Sequence, residues 1–591
     1  MGRLRESVPI WTTAAAVLTL SVSLGLAWTS VPGRKLTGAA IGGEPDSPNP
    51  STPFRIGTNL DGVAYWSSAL PFVDLMKSSG DWFVQAPYRW NTEEKVALDE
   101  SGWPITIPRG RDGASRNIGL VVLREAGGAD TPHTRYVVGY DGSGRLKGMD
   151  SQGMRTLKGS KPRQLIVETD AEGWVQLMIT QTDPHGRGDF LRNIRVIRED
   201  LFPEYERGSV FNPAFVERIA PFRTIRFMDW MVTNSLFRAD GSRAKWSSGQ
   251  GWNANAAGEL GWSSRPLPGD ARWTSGVPVE IMVQLLNTTK ADGWFNMPVN
   301  ATDDYVRNFA KYVREHLDPK LNIHVELSNE VWNWAFPQAH YAKYRAESED
   351  GKDANWMEWY GKRSAQVGEI WNAVFREPAR GQGPPGRVRI VYSTQFAYKG
   401  LEKLGLETPR WLDKNGQHRR GADFFDEYAV TGYYGAGLSD DKQVAAVLQW
   451  QRDPDGGFQR ALLALRKSIE QNNAPLYEYH AKRAREYGLE LVTYESGFGE
   501  RTPPSQHQNE DYTNFLIALQ RRPEIYNLEL ANAEAFRRAG GSLFMNFGII
   551  GKPSKWGSWS ALEHINQKDS PRYRALISLT TKYNQDQKTR H

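Results

Sequence analysis

Two glutamates stand where a carboxylate pair could work. In "NIHVELSNEVWNW" (322–334) an apolar run ends at Ser328-Asn329-Glu330, and two tryptophans follow. In "LELVTYES" (489–496) a second apolar run ends at Glu495. A carboxyl group that keeps its proton and one that stays ionised can together cleave a glycosidic bond. The first protonates the leaving oxygen; the second attacks the anomeric carbon. In the retaining form of this chemistry the two groups lie about 5–5.5 Å apart, and the charge of one raises the pKa of the other. Taken singly, each glutamate has a plainer reading. Asn329 is a good helix N-cap, and an acid in the first helical turn gains from the helix dipole. Glu495 could end its strand in a salt bridge. Glu326 and Asp229 are rival acids, although Glu326 lies on the same strand as Glu330 and is expected to enter a barrel layer or an ion pair.

Composition narrows the alternatives. The 591 residues include no cysteine, which excludes disulfides, zinc–thiolate sites, iron–sulfur clusters and cysteine nucleophiles. The ten histidines show no His-Glu-x-x-His spacing, and neither metal nor cofactor is expected. Lys and Arg number 73 against 68 Asp and Glu, without a basic block, so a nucleic-acid partner is not expected. The 22 tryptophans suit a protein that stacks indoles on sugar faces, although many must fill core.

The N-terminus adds a location. Arg3 and Arg5 precede a charge-free stretch from Ser7 to Pro32, and Gly25-Leu26-Ala27 fits a cleavage site. Residues 1–33 therefore read as a secretory signal peptide or an uncut membrane anchor, and 34–53 as a Pro/Gly/Ser linker. Either way the remainder is exported, periplasmic or extracellular, and is expected to act as a monomer.

The elements that must hold the glutamates follow the α/β alternation of a parallel barrel. Strands are expected at 54–60, 224–231, 279–287, 322–329, 388–396, 427–435, 489–496 and 541–549. Residues 303–317 carry a helical period, and "PFVDLMKSS" after the first strand looks helical. Between the first two strands, 91–204 shows short alternating runs with Gly/Asp turns, the pattern of an antiparallel β-sandwich. The expected fold is a (β/α)8 barrel formed by 54–90 and 205–591, with the sandwich inserted after its first strand. The alternative is a separate β-domain ahead of an incomplete barrel. Residues 232–276 form a long Gly/Ser/Trp-rich loop, a length that usually signals function or disorder, and its tryptophans favour function. Barrel active sites form at the carboxyl ends of the strands.

"VELSNEVWNW" and "VTYESGFG" together resemble the fourth- and seventh-strand motifs of the retaining (β/α)8 glycoside hydrolases, the clan of many cellulases, mannanases and β-glycosidases, here in a secreted bacterial branch. The resemblance covers about 54–90 and 205–590. It implies Glu330 as general acid/base, Glu495 as nucleophile and a polysaccharide substrate. It further implies Asn329 on the sugar 2-hydroxyl, Tyr433 or Tyr434 holding the nucleophile, and Trp556 or Trp559 as a sugar platform. Arg226 is a second candidate for holding the nucleophile, and Trp332 a further substrate-binding candidate. The histidine usual near strand three is absent; Gln284 and Asn287 stand there and are taken as substrate-binding. A non-catalytic carbohydrate-binding protein and a transglycosylase are the alternatives.

Overall fold

The computed structural model describes residues 53–584 apart from 111–115, 130–131, 150–154, 160, 245–256 and 377–385. The leader and nearly all of the linker lie outside the described residues, as do Trp246 and Trp252. No helix among the described residues is long and apolar enough to cross a membrane.

Among the described residues sixteen strands divide into one barrel and two small sheets. The barrel is closed and all-parallel, in the order β1 (Arg55–Asn59), β10 (Thr224–Arg226), β11 (Asp292–Met297), β12 (Ile323–Leu327), β13 (Val388–Ser393), β14 (Glu427–Tyr434), β15 (Glu490–Phe498) and β16 (Leu543–Asn546). β16 pairs back onto β1 and leaves no edge. The strands are short apolar runs buried on both faces, as parallel strands sheathed by helices must be. Asp303–His316 is the expected helix, and Thr302 caps it by accepting from the Tyr305 amide.

The third strand is not where its apolar run suggested. Val279–Thr289 is an α-helix, and the strand is β11, just after it. Glu280, Gln284 and Thr288 fall one helical turn apart and form the polar stripe, while Ile281, Met282, Val283, Leu285 and Leu286 are buried. Gln284 is therefore exposed on the barrel's outer wall. Asn287 donates to the His316 carbonyl at 2.8 Å and accepts from the Asp318 amide, tying this helix to the next. Neither residue reaches the barrel mouth, and both leave the list of substrate ligands.

Between β1 and β10 lie two four-stranded antiparallel sheets. One has the order β2 (Phe83–Gln85), β3 (Asn117–Leu123), β8 (Val175–Thr182), β5 (Gly144–Gly148). The other runs β6 (Arg155–Lys158), β7 (Gln164–Glu168), β4 (Arg135–Asp141), β9 (Arg192–Arg198). β2 places the first of these sheets ahead of residue 91. "PFVDLMKSS" supplies only a 3-10 turn, Leu75–Ser78, because Asp74 turns aside: its carboxylate accepts from the Val196 amide as well as from Met76. Phe72 also bridges to Phe211, so the outgoing and returning chains lie side by side and the barrel closes across the insertion. Trp103 is 3% exposed, and Arg124 stacks over Trp174 at 4.2 Å, so both rings are engaged within the protein.

Tyr434 also faces away from the mouth. Its hydroxyl donates to Glu529 behind the barrel wall, and Glu529 is paired with Arg572 at 2.8 Å. Arg572 in turn donates to the carbonyls of Ser558 and Ser560 in the loop after β16. Tyr434 thus belongs to a buried strut that fixes that loop, and the role expected at the nucleophile falls to Tyr433 alone. Arg572→Met should leave Glu529 buried without its cation and cost about 3–5 kcal/mol. Tyr434→Phe should cost about 1 kcal/mol. Scanning calorimetry of the two variants checks the ranking.

Candidate active site

Glu330 follows β12, the fourth barrel strand, and Glu495 lies on β15, the seventh; each is 1% exposed. Two local irregularities aim them. Ser328 and Glu330 both adopt positive φ, 62° and 41°, a region that non-glycine residues rarely occupy. This turns the chain sharply at the strand end, and the Asn333 amide closes the turn onto the Glu330 carbonyl at 2.8 Å. On β15 the register with β14 shifts: Val430 faces Thr493, but Thr431 faces Glu495. Tyr494 is the extra residue of this bulge. Successive strand residues normally point to opposite faces, yet here Tyr494 and Glu495 both serve the barrel interior.

Arg226, at the end of β10, lies beneath the pair with no exposure. Its Nη1 donates to Glu495 Oε1 at 3.0 Å and to Asn59 Oδ1 at 2.9 Å. Nε and Nη2 both hold Glu326 Oε2, and Nη2 also reaches Asn329 Oδ1 at 2.8 Å. Glu326 Oε2 accepts further from Trp294 Nε1 and Asn296 Nδ2. Glu326 is therefore an interior anchor for the guanidinium, as its place in the strand implied, and is not aimed at the mouth.

The two glutamates differ in their partners. Glu495 accepts from Arg226 on one oxygen and from Tyr433 Oη on the other, at 2.9 Å. Burial pushes its pKa up, and Arg226 and the Tyr433 hydroxyl oppose that rise. Glu330 accepts from Tyr494 Oη at 3.1 Å and from Asn333 Nδ2 at 2.9 Å, with no cation in hydrogen-bonding contact. Burial and the charge of Glu495 push it up to about 8. Of the two, Glu330 is the one whose surroundings favour the protonated form. The Nδ2 group of Asn333 can only donate, whereas the Tyr494 hydroxyl can donate to the carboxylate or accept from the acid.

Asp229 and Asp61 line the same end of the barrel. Asp61 accepts from the Ile549 and Ile550 amides and from Ser560, so it pins the loop after β16. Burial raises it to about 6. Asp229 is raised to about 7 by burial, by Asp61 and by Glu495. It too can hold a proton near neutrality and remains the rival acid.

Of the other expected ligands, Asn329 is 1% exposed, with Oδ1 on Arg226 and Nδ2 on Asn234 Oδ1 at 3.0 Å. Trp559 is half-buried, its ring 5.4 Å from that of Tyr433, so the tryptophan after strand eight stands next to the tyrosine that bonds Glu495. Trp556 lies farther out, 38% exposed, edge-on to His507. Trp332, the further substrate-binding candidate, is 9% exposed and packs against the core. Tyr494, Asn333, Asn296 and Asn59 complete the site. Only the strand-end position of Asn59 marked it beforehand; Tyr494 was hidden by the bulge. Among the described residues no group of three or more His, Asp and Glu side chains is arranged to hold a metal.

No protein-family model and no curated protein matches the chain. Solved structures similar to it include a 4-O-α-L-rhamnosyl-β-D-glucuronidase from Fusarium oxysporum 12S, with 11% identity and a TM-score of 0.32. That match covers 64% of this chain and 66%, just under two thirds, of the other. A broad-specificity endoglucanase from Clostridium acetobutylicum has 13% identity and a TM-score of 0.29, covering 62% and 89%. An endo-β-1,4-mannanase from Thermotoga petrophila has 12% identity and a TM-score of 0.29, covering 63% and 73%. All three are glycoside hydrolases; at this distance the reaction has to be argued from the site itself.

The protonation of Glu330 has a thermodynamic signature that needs no substrate. Its pKa is raised from 4.5 to about 8, so the folded protein binds more protons than the unfolded chain between those values. The stability it contributes is complete below pH about 4.5 and is lost as pH rises to about 8. Glu330→Gln removes that slope. The melting temperature of Glu330→Gln relative to the wild type should therefore climb steadily from pH 5 to pH 8; a flat difference would place the proton elsewhere.

Proposed function

We propose that this protein is a glycoside hydrolase that cleaves a polysaccharide by retaining double displacement. One observation carries the reading: of two buried carboxyl groups, Glu330 just after barrel strand four and Glu495 on strand seven, the second is held by a guanidinium and a tyrosine and the first by neutral donors. Glu495 attacks the anomeric carbon. As the C1–O bond breaks, its electrons pass to the leaving oxygen, which takes the Glu330 proton. The covalent intermediate has lost the Glu495 charge, so the pKa of Glu330 falls and it becomes the base that activates water. Arg226 and Tyr433 fix the nucleophile, Asn329 meets the sugar 2-hydroxyl, and Trp559 flanks the sugar beside Tyr433.

The finer parts of the proposal are endo action, export and a monomeric state. The exposed tryptophans on the loops after β1, β12 and β16 support endo action, and the charge-free stretch after Arg5 supports export, with the leader either cleaved or kept as an anchor. We read the two antiparallel sheets as the layers of one inserted sandwich.

Glu495→Gln should abolish turnover while the polysaccharide still binds, because an amide keeps the shape but cannot attack. Glu330→Gln should lose about 10²- to 10⁴-fold on substrates with poor leaving groups and far less on activated aryl glycosides. Azide should rescue the second step and give a glycosyl azide of unchanged anomeric configuration. Should Asp229→Asn show this leaving-group dependence instead, the acid is Asp229. Tight binding of a glycan with no hydrolysis of it would leave a carbohydrate-binding protein; chain-lengthened products would indicate a transglycosylase.

In the wild type, kcat/KM should fall above pH about 8, where Glu330 loses its proton. On an activated aryl glycoside, Glu330→Gln should lack that basic limb. A pH profile of both proteins decides the point.

A further inference from the structure

Three tryptophans are open to solvent among the described residues: Trp66 (40% exposed), Trp334 (39%) and Trp556 (38%). They belong to the loops that follow β1, β12 and β16, all at the carboxyl ends of barrel strands. All three loops stand at the barrel end that holds the glutamates, where an indole left open to solvent is available to a ligand. β12 and β16 are four places apart in a ring of eight, so Trp334 and Trp556 stand on opposite sides of the barrel mouth.

Trp334 is the one built into the acid. Asn333, its neighbour, donates Nδ2 to Glu330 Oε2 and its backbone amide to the Glu330 carbonyl. The Asn333 side chain also accepts from the Ala335 amide, which fixes the backbone on the far side of Trp334. The Trp334 carbonyl is bound by His340 Nε2 at 3.0 Å, and the His340 ring meets the indole edge-on at 5.2 Å. Trp356, at the start of the helix Trp356–Phe375, supports the indole with ring centroids 4.8 Å apart. The ring is thus held in one orientation by protein groups while 39% of the residue stays open.

We infer that Trp334, backed by Trp356, is a binding platform for the leaving-group side of a polysaccharide chain, continuous with the catalytic cleft. This rests on the glycosidase reading, because the side is assigned from the acid. The proton of Glu330 goes to the glycosidic oxygen, so the departing sugars lie on the side from which that proton comes, where the loop of Glu330 presents Trp334. Sugar rings have apolar C–H faces that stack on an indole, so the platform takes the chain through its ring faces and not through charge.

Two measurements test it. First, Glu495→Gln and the double variant Glu495→Gln/Trp334→Ala are compared on an array of plant, fungal and bacterial polysaccharides. The double variant should bind the recognised glycan at least about tenfold more weakly, and Trp334→Phe in the same background should recover most of the loss. Equal binding by the two proteins, or no glycan bound by Glu495→Gln, overturns the platform. Second, the 4-nitrophenyl glycoside of the recognised sugar is compared with oligosaccharides that carry one to three sugars as leaving group. Trp334→Ala should lower kcat/KM on the oligosaccharides relative to the aryl glycoside, by a ratio that grows with leaving-group length. A ratio independent of that length overturns the assignment of the side. If the array shows Trp334-dependent binding but the wild type cleaves nothing, the glycosidase reading fails while the platform stands.

Discussion

The guanidinium of Arg226 is the interaction on which the site depends. It is fully buried, and it bonds Glu326, Glu495, Asn59 and Asn329 at once. An unpaired cation at this depth would be prohibitively costly, and so would either carboxylate without it. The barrel resolves this by drawing three strands onto one group: β1 supplies Asn59, β12 supplies Glu326 and the turn with Asn329, and β15 supplies Glu495. The faces of Trp294 and Tyr494 lie 5.5 Å and 5.4 Å from the guanidinium carbon and shield it. What decides the chemistry is the carboxylate that Arg226 does not reach. Glu330 receives only neutral donors, so it is the member of the pair that keeps its proton.

The backbone departs from regular geometry where this site needs it. A regular β15 would send Tyr494 and Glu495 to opposite faces of the barrel wall. The bulge lets Tyr494 donate to Glu330 while Glu495 meets Arg226, so one strand contacts both halves of the pair. Positive φ at Ser328 and Glu330 carries a local cost of about 1–3 kcal/mol per residue, offset by the packed surroundings. A third irregularity lies behind Tyr433. The helical run after Phe458 contains a π-turn, Ile469–Asn473, and Asn473 donates from it to the Tyr433 carbonyl at 2.9 Å. All three irregularities converge on the two carboxyl groups.

Much of this was legible in the sequence because the parallel strands announce themselves as apolar runs between helices. Seven of the eight barrel strands fall on such runs, and the two glutamates end two of them. The third strand was not legible that way. "DGWFNM" contains Asp, Gly and Asn and looks like a loop, whereas the preceding "VEIMVQLLN" is apolar enough to imitate a strand. The polar positions at 280, 284 and 288 carried the helical period that separates the two; reading the run by its hydrophobicity alone lost that signal. Tyr434 was misplaced for a related reason. Adjacent strand residues face opposite ways, so only one of Tyr433 and Tyr434 could reach Glu495, and nothing local says which. The pairing of Tyr494 with Glu330 was beyond reach, because a bulge shows only when the partner strand is known.

A carboxylate pair can serve hydrolysis only if its two members stay unlike throughout the cycle, and the surroundings of this pair enforce that. Arg226 is already bound to Glu326, so covalent modification of Glu495 would not leave the guanidinium without a counter-charge. In the proposed mechanism that second carboxylate would hold Arg226 in place while Glu495 is esterified. Glu330 has no such anchor and responds fully to the charge of Glu495. The asymmetry of the two sites is therefore built into the barrel wall: Glu326 lies within β12 and holds the guanidinium, whereas Glu330 follows the end of that strand and meets the neutral donors Tyr494 and Asn333.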